Sequence, residues 1–502
     1  MGSISPHQYD ETSRFPWSSD DLAHRFAVHN PATGEVITTV QGGGVAEVQK
    51  AVEAAQKAYN SWRWLSRRER ATYLHRVGDR LAEHFEELAQ LLSLENGKPV
   101  SQAREGDVPF VCGIFHYFAS LIDKLPDELY DQGSIYAMVL REPYGVVAGI
   151  IPFNWPPIHV GGKSAPALAM GNTMIIKPGE QAPLTALRIV EIASEVLPPG
   201  VFQAVPAIGT EVPQALVTHP DVRKVSFTGS TKAGAIVSKL VADNITPLSL
   251  ELGGKNAMII FDDADLELAV QNAVDGAFFN QGEACTASSR LVVQRGIHDE
   301  FVRRLAAAVK RLKVGNGAHE ETHVGPLVTK IHQEKVQEYI RIGVSEGANI
   351  EAQAPLPTGP KLQKGYFVQP TLFTGVTRDM RIAKEEIFGP VVTVNAFDTY
   401  EEAISIANDV EYGLVCAVFS KDTPKATRAA REVDAGMVFV NNYNRMALGT
   451  PFGGAKHSGY GREHCIETLH EYSRPKNMRV PTGLGQPGGW SKVAELMESC
   501  KL

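Results

Sequence analysis

The 502-residue chain has little cysteine: five residues, none in a Cys-x-x-Cys pair. That excludes a disulfide framework and a structural zinc site of the usual spacing; no metal is expected, and a reducing compartment is. It has no basic excess, since 49 Lys and Arg against 57 Asp and Glu leave a net charge of −8. No surface for nucleic acid or anionic lipid is expected from that balance. It lacks a long apolar run free of helix breakers. The longest uncharged stretch, 143–162, holds four prolines and four glycines, so it reads as strand, turn and helix start rather than a membrane span. Residues 1–30 have no apolar core of signal-peptide length, and Pro6 stands where a myristoylation motif needs Ser or Thr. Also missing is an intact Gly-x-Gly-x-x-Gly after a strand: after Val205 comes only Pro206-Ala207-Ile208-Gly209.

What the chain does contain is alternation. Its 43% hydrophobic and 21% charged residues are a globular mix. Val45, Val48, Val52, Ala55 and Tyr59 recur at helical spacing. So do Leu74, Val77, Leu81, Phe85, Leu88 and Leu92, with Asn96-Gly97 as a stop. β-Branched runs at 146–151, 173–176, 201–205 and 222–227 then alternate with helix-length segments around 158–170, 183–196, 210–218 and 231–243. This predicts βαβ units and a doubly wound, Rossmann-like α/β domain that binds a nucleotide. A second alternation, with strands at 257–261 and 291–294, a helix at 264–278 and runs at 391–396, 401–406 and 415–419, predicts a second α/β domain over about 253–460. Segment 353–365 reads as a surface loop.

Four segments could carry chemistry. Phe227-Thr228-Gly229-Ser230-Thr231 follows a strand and opens a helix, where backbone N–H groups and the helix dipole favour phosphate; alone it is equally a capped turn. Lys177-Pro178-Gly179-Glu180 follows another strand end, where a carboxylate can accept from ribose hydroxyls; alone it is equally a solvated turn. Cys285 sits among Gly, Ala, Thr and Ser in a connecting segment, better placed to attack a substrate than Cys112, Cys416, Cys465 and Cys500, which read as structural or tail residues. Glu251, before the pair Gly253-Gly254, is either a general base or a surface acid.

Taken as an ordered series, these segments resemble the aldehyde dehydrogenases nearly end to end. The series runs Ile151-Pro152-Phe153-Asn154-Trp155-Pro156, Lys177 to Gln181, Phe227 to Thr231, Leu250 to Lys255, Phe278 to Cys285, Glu385 to Pro390 and Pro451 to Gly459. The resemblance implies Cys285 as nucleophile, the Asn154 amide with the Cys285 N–H as oxyanion donors, Glu251 as base for the hydrolytic water, and Lys163 in support. It implies NAD as cofactor, held by Ile151, Pro152, Lys177, Glu180, Gly229, Ser230, Glu386 and Phe388. NADP is less favoured, because Glu180 would repel a 2′-phosphate. Trp155, Thr286, Arg445 and Met446 match pocket positions for a small-molecule aldehyde. Met446 suggests an adaptable pocket, and Arg445 could read a substrate carboxylate. The product implied is a free acid. Two alternatives are a coenzyme-A-acylating relative, against which Glu251 argues, and a non-catalytic NAD-binding relative.

The resemblance also sets boundaries and one doubt. It implies a dinucleotide domain over 1–121 and 143–252, a catalytic domain over 253–460, an oligomerisation element from 122–142 and 471–490, and a tail at 491–502. A homodimer or homotetramer should pair the exposed strand of that element. Where the family commonly has an acid near its C-terminal pairing segment, this chain has Arg474 in Glu471-Tyr472-Ser473-Arg474, which puts a proton relay through that position in doubt. Cys500-Lys501-Leu502 is one small-residue swap from a peroxisomal address, so location is expected to be peroxisomal or cytoplasmic.

Overall fold

The computed structural model describes residues 24–443, 447–485 and 489–500. Its first sheet runs Gly459–Tyr460, Leu248–Glu251, Val222–Thr228, Val146–Ile150, Thr173–Lys177, Phe202–Ala204. All neighbours pair in parallel except Gly459–Tyr460, which lies antiparallel on Leu248–Glu251. Helices cover both faces. Pro156–Ala169 and Leu184–Ser194 pack on Val147, Met174 and Ile176. Val45–Trp62, Glu211–Thr218 and Thr231–Ala242 pack on Ala148, Ile175 and Val225. This is the doubly wound domain that the alternation predicts.

The helical pattern from Leu74 to Leu92 is two helices, Arg67–Glu83 and Phe85–Asn96, joined at His84. Ser66 starts the first by accepting from Glu69 N–H, and Gly97 ends the second at φ +91°. Periodicity cannot see this joint, because Leu74, Val77, Leu81, Leu88 and Leu92 all face one core across it.

The second sheet runs Asn349–Gln353, Thr371–Thr374, Val391–Phe397, Arg290–Gln294, Ala257–Ile260, Val415–Phe419, Met437–Val440, parallel apart from the first pair. The 401–406 run lies within the helix Tyr400–Asn408. A third, antiparallel sheet joins Glu128–Asp131, Ile135–Pro143 and Ser473–Pro481, the last exposed along nearly its whole length. The return to the first domain positions the site: Phe452 bridges Glu463, Gly459–Tyr460 pairs with Glu251 and Leu250, and Leu469 and Tyr472 bury in the first core. No helix among the described residues is long and apolar enough to cross a membrane.

Candidate active site

The carboxyl ends of the first sheet's strands open onto a cavity of about 220 Å³. Pro152, Asn154, Thr228, Gly229 and Ser230 line it from the first domain, and Cys285, Glu386 and Phe388 from the second. This is the crevice where open α/β sheets bind ligands.

The backbone of the segment bearing Cys285 is held by side chains from outside it. Asn280, Gln281 and Gly282 take left-handed φ values of 52°, 55° and 70° in succession and are buried. Such strain persists only where the surroundings enforce it. Asn256 Nδ2 donates to the carbonyls of Cys285 and Ala287, each at 2.8 Å, while its Oδ1 accepts from Val415 N–H. Tyr443 O–H donates to the Thr286 carbonyl at 2.7 Å. A side chain at Gly254 would meet the Cys285 carbonyl at 2.3 Å, so glycine there permits the close approach.

The reacting groups themselves are left unpaired. Glu251 is 4% exposed, and neither of its carboxylate oxygens has a partner. Burial pushes its pKa well above the ordinary carboxylate value, and repulsion from Glu463 adds to this against the pull of Lys163 and Arg462. Burial likewise raises the Cys285 thiol, helped by the negative fields of Glu386 and Glu251, so the residue rests as a thiol and needs a proton acceptor. Glu386 is committed to Gly254 N–H at 2.9 Å; Glu251 is the acid left free to accept. Asn154 donates one amide hydrogen to the Glu283 carbonyl at 3.0 Å, which fixes the side chain at the cavity wall.

Lys163 is fully buried, bridging Glu463 Oε1 at 2.7 Å and Ser226 Oγ at 2.9 Å. The doubt attached to Arg474 is therefore misplaced. Arg474 lies on the exposed third sheet beside Glu142, and the acid next to Glu251 is Glu463. The quoted series stops at Gly459, four residues short of it; the signal available was an acid two residues after the glycine-rich Gly459-Tyr460-Gly461.

The residues present fit a dinucleotide. Ser230 caps the helix Thr231–Ala242, accepting from Ala233 N–H, and Gly229 meets the cavity where a side chain would strike the Phe227 ring at 2.6 Å. Glu180 is fixed by Gly209 N–H at 2.8 Å, and Lys177 is buried beside it. Gly179 packs on Pro152 and Phe153, tying that turn to the cavity. Ile151 is buried, its N–H on the Lys177 carbonyl. Phe388 takes φ +60°, and His332 Nε2–H donates to its carbonyl at 2.6 Å. Reading residues alone had missed Asn256, Tyr443, His332, Glu463 and the cavity-lining His159.

Of the residues assigned to the substrate pocket, Trp155 stacks on Phe279 (centroids 5.7 Å apart) with Lys98 Nζ 3.8 Å over its ring, and Thr286 is buried with its carbonyl bonded. Arg445 and Met446 lie outside the described residues.

A thiol, an unpaired buried carboxylate and an amide donor beside a turn suited to phosphate are the groups that a dinucleotide-dependent oxidation would use. The chain belongs to the aldehyde dehydrogenase family, whose model matches residues 17–478. It is 55% identical over 488 residues to the aldehyde dehydrogenase citD of Monascus ruber, covering 97% of each chain. It is 40% identical over 467 residues to the betaine aldehyde dehydrogenase of Bacillus subtilis, covering 92% of this chain and 95% of that one. The structure of betaine aldehyde dehydrogenase from Staphylococcus aureus in complex with NAD+ superposes with a TM-score of 0.91 at 39% identity, covering 94% of each chain.

Proposed function

We propose that this chain oxidises an aldehyde to a free carboxylic acid with NAD, through a thioester on Cys285 that activated water hydrolyses. The observation that carries it is a held Cys285 lying within the field of a buried Glu251 whose carboxylate has no partner. Cys285 gives its proton to the Glu251 carboxylate, which releases it to water before deacylation, and its sulfur adds to the aldehyde carbon. The Asn154 amide and the Cys285 N–H stabilise the oxyanion of the thiohemiacetal. NAD bound in the cavity would supply the hydride acceptor that this carbon needs to become a thioester. Glu251 then takes a proton from water, the hydroxide adds to the thioester carbon, and Cys285 leaves as thiolate. Lys177, Glu180, Gly229, Ser230, Glu386 and Phe388 would hold the cofactor, with Glu180 disfavouring a 2′-phosphate.

NADH formation across short aliphatic, long aliphatic, aromatic and carboxylated aldehydes, with free acid as product and Cys285→Ala silent, is the expected result. Acyl-coenzyme A as the obligatory product, or full activity in Cys285→Ala, would overturn it.

Two further assignments belong to the same reading. The open edge of Ser473–Pro481, bearing exposed Met478 and Val480, supports a homodimer or homotetramer in which a second copy covers it. A mass of one chain by light scattering would refute this. Cys500 is exposed after the wholly exposed helix Ser491–Ser499, which supports a peroxisomal address at Cys500-Lys501-Leu502. Unchanged location on removal of Leu502 would refute that.

A further inference from the structure

Two histidines line the cavity, and only one of them is paired. His332 Nε2–H donates to the Phe388 carbonyl at 2.6 Å. His159 is 7% exposed, and its Nε2 is buried with no partner among the described residues. It stands in the first turn of the helix Pro156–Ala169, its backbone N–H on the Trp155 carbonyl at 3.0 Å. That helix starts two residues after Asn154, so one short stretch of chain brings the amide donor and this imidazole to the cavity that Cys285 also lines.

The polar neighbours of the ring are engaged elsewhere. Lys163, one turn further along the helix, donates to Ser226 Oγ at 2.9 Å and to Glu463 Oε1 at 2.7 Å. Lys98 donates to the two oxygens of Asp107 at 2.9 and 3.0 Å. Asn154 gives an amide hydrogen to the Glu283 carbonyl. A buried ring nitrogen with no partner is unfavourable, and an apolar side chain would wall the cavity without that cost. The imidazole is therefore placed for a group that arrives with the ligand.

The chemistry of the ring selects that group. Burial lowers the His159 pKa to about 3, with the field of Lys163 adding to this against that of Glu463. The imidazole is neutral and carries one N–H and one lone pair. A substrate carboxylate would find no countercharge on it. A quaternary ammonium group has neither a hydrogen to give nor a lone pair, so it would leave Nε2 unpaired. An uncharged hydroxyl both donates and accepts, and satisfies Nε2 in either tautomer. Resting on the aldehyde oxidation proposed above, we propose that His159 is a specificity residue whose Nε2 hydrogen-bonds a hydroxyl of the substrate, so that the site selects hydroxyaldehydes, alcoholic or phenolic.

The test compares matched aldehydes: benzaldehyde with its 2-, 3- and 4-hydroxy derivatives, and butanal with 3-hydroxybutanal, the acid product being measured by chromatography. In the unmodified protein at least one hydroxyaldehyde should exceed its parent by about 10–100-fold in kcat/KM, because the parent leaves Nε2 unpaired. The phenolic and alcoholic arms show which kind of hydroxyl the site takes. In His159→Leu that preference should vanish, the loss for the hydroxyaldehyde appearing mainly in KM, as for a contact made equally in the bound and the reacting state. His159→Gln, which keeps a donor and an acceptor, should recover part of it. No preference for a hydroxyaldehyde in any pair with the unmodified protein would overturn the inference, whether or not the variants fold. So would a preference that His159→Leu leaves unchanged, including by slowing both members of a pair alike, which is the mark of a structural role. Absence of turnover on every aldehyde would instead overturn the parent reading of the reaction.

Discussion

The backbone around Cys285 and the carboxylate of Glu251 are treated in opposite ways: the first is bonded by side chains, the second has no partner. On the second-domain side, Asn256 uses both its amide group and its oxygen, Arg290 donates to the carbonyls of Lys255, Ile406 and Ala407, and Tyr443 donates to Thr286. On the first-domain side, both Glu251 oxygens, Asn154 Oδ1, His159 Nε2, His464 Nε2 and Tyr472 O–H are buried without partners. Buried polar atoms are normally paired, so an unpaired cluster marks where a substrate atom, water or proton has to fit. The bonded backbone fixes Cys285 in place, and the unpaired Glu251 carboxylate is left free to accept a hydrogen bond.

Four substitutions break or sharpen that contrast. The largest effect belongs to Cys285→Ser, which should lower turnover about 10⁴-fold or more while leaving NAD binding by fluorescence titration intact. Next, Glu251→Gln should lower kcat about 10²–10⁴-fold with no loss of thermal stability, because it removes a buried charge that has no partner. Asn256→Ala should do the reverse in kind: it strands three backbone groups and should cost about 2–4 kcal/mol by denaturant unfolding. Smallest is Glu180→Ala, which should narrow the NAD-to-NADP ratio of kcat/KM with little change in kcat.

The pH dependence follows from the same contrast. Glu251 works as a base only when deprotonated, and its pKa lies above the ordinary carboxylate range. Activity should therefore be lost, as pH falls, well before ordinary carboxylates protonate, and should rise again with pH as the raised Cys285 thiol gives up its proton more readily. His159, lowered to about 3 by burial, stays neutral throughout and adds no limb. A pH–kcat profile that is flat from pH 5 to pH 8 would contradict this.

Much of this was legible in the sequence. The alternation of β-branched runs with helical segments gave both α/β domains, since parallel strands covered on both faces read as near-continuous apolar runs. Glu251 and Cys285 stood out because each sits where a strand or helix ends among small residues. What was not legible is long-range. Glu463 reaches Glu251 only because Gly459–Tyr460 returns to the first sheet, and no local pattern signals an antiparallel strand of two residues. Asn256 reads as an ordinary loop residue until the fold brings Cys285, Ala287 and Val415 around it. Lys224, Ser226 and Ser249 are buried polar residues that nothing in their own strands' patterns marks as covered.

The most direct test of the central claim is the intact mass of Glu251→Gln after mixing with NAD and an aldehyde that the unmodified protein oxidises. The account predicts an adduct equal to the aldehyde less two hydrogens, mapped by peptide digestion to Cys285, that decays more slowly than in the unmodified protein. An adduct on another residue, or NADH formed with no adduct on Cys285, would contradict it.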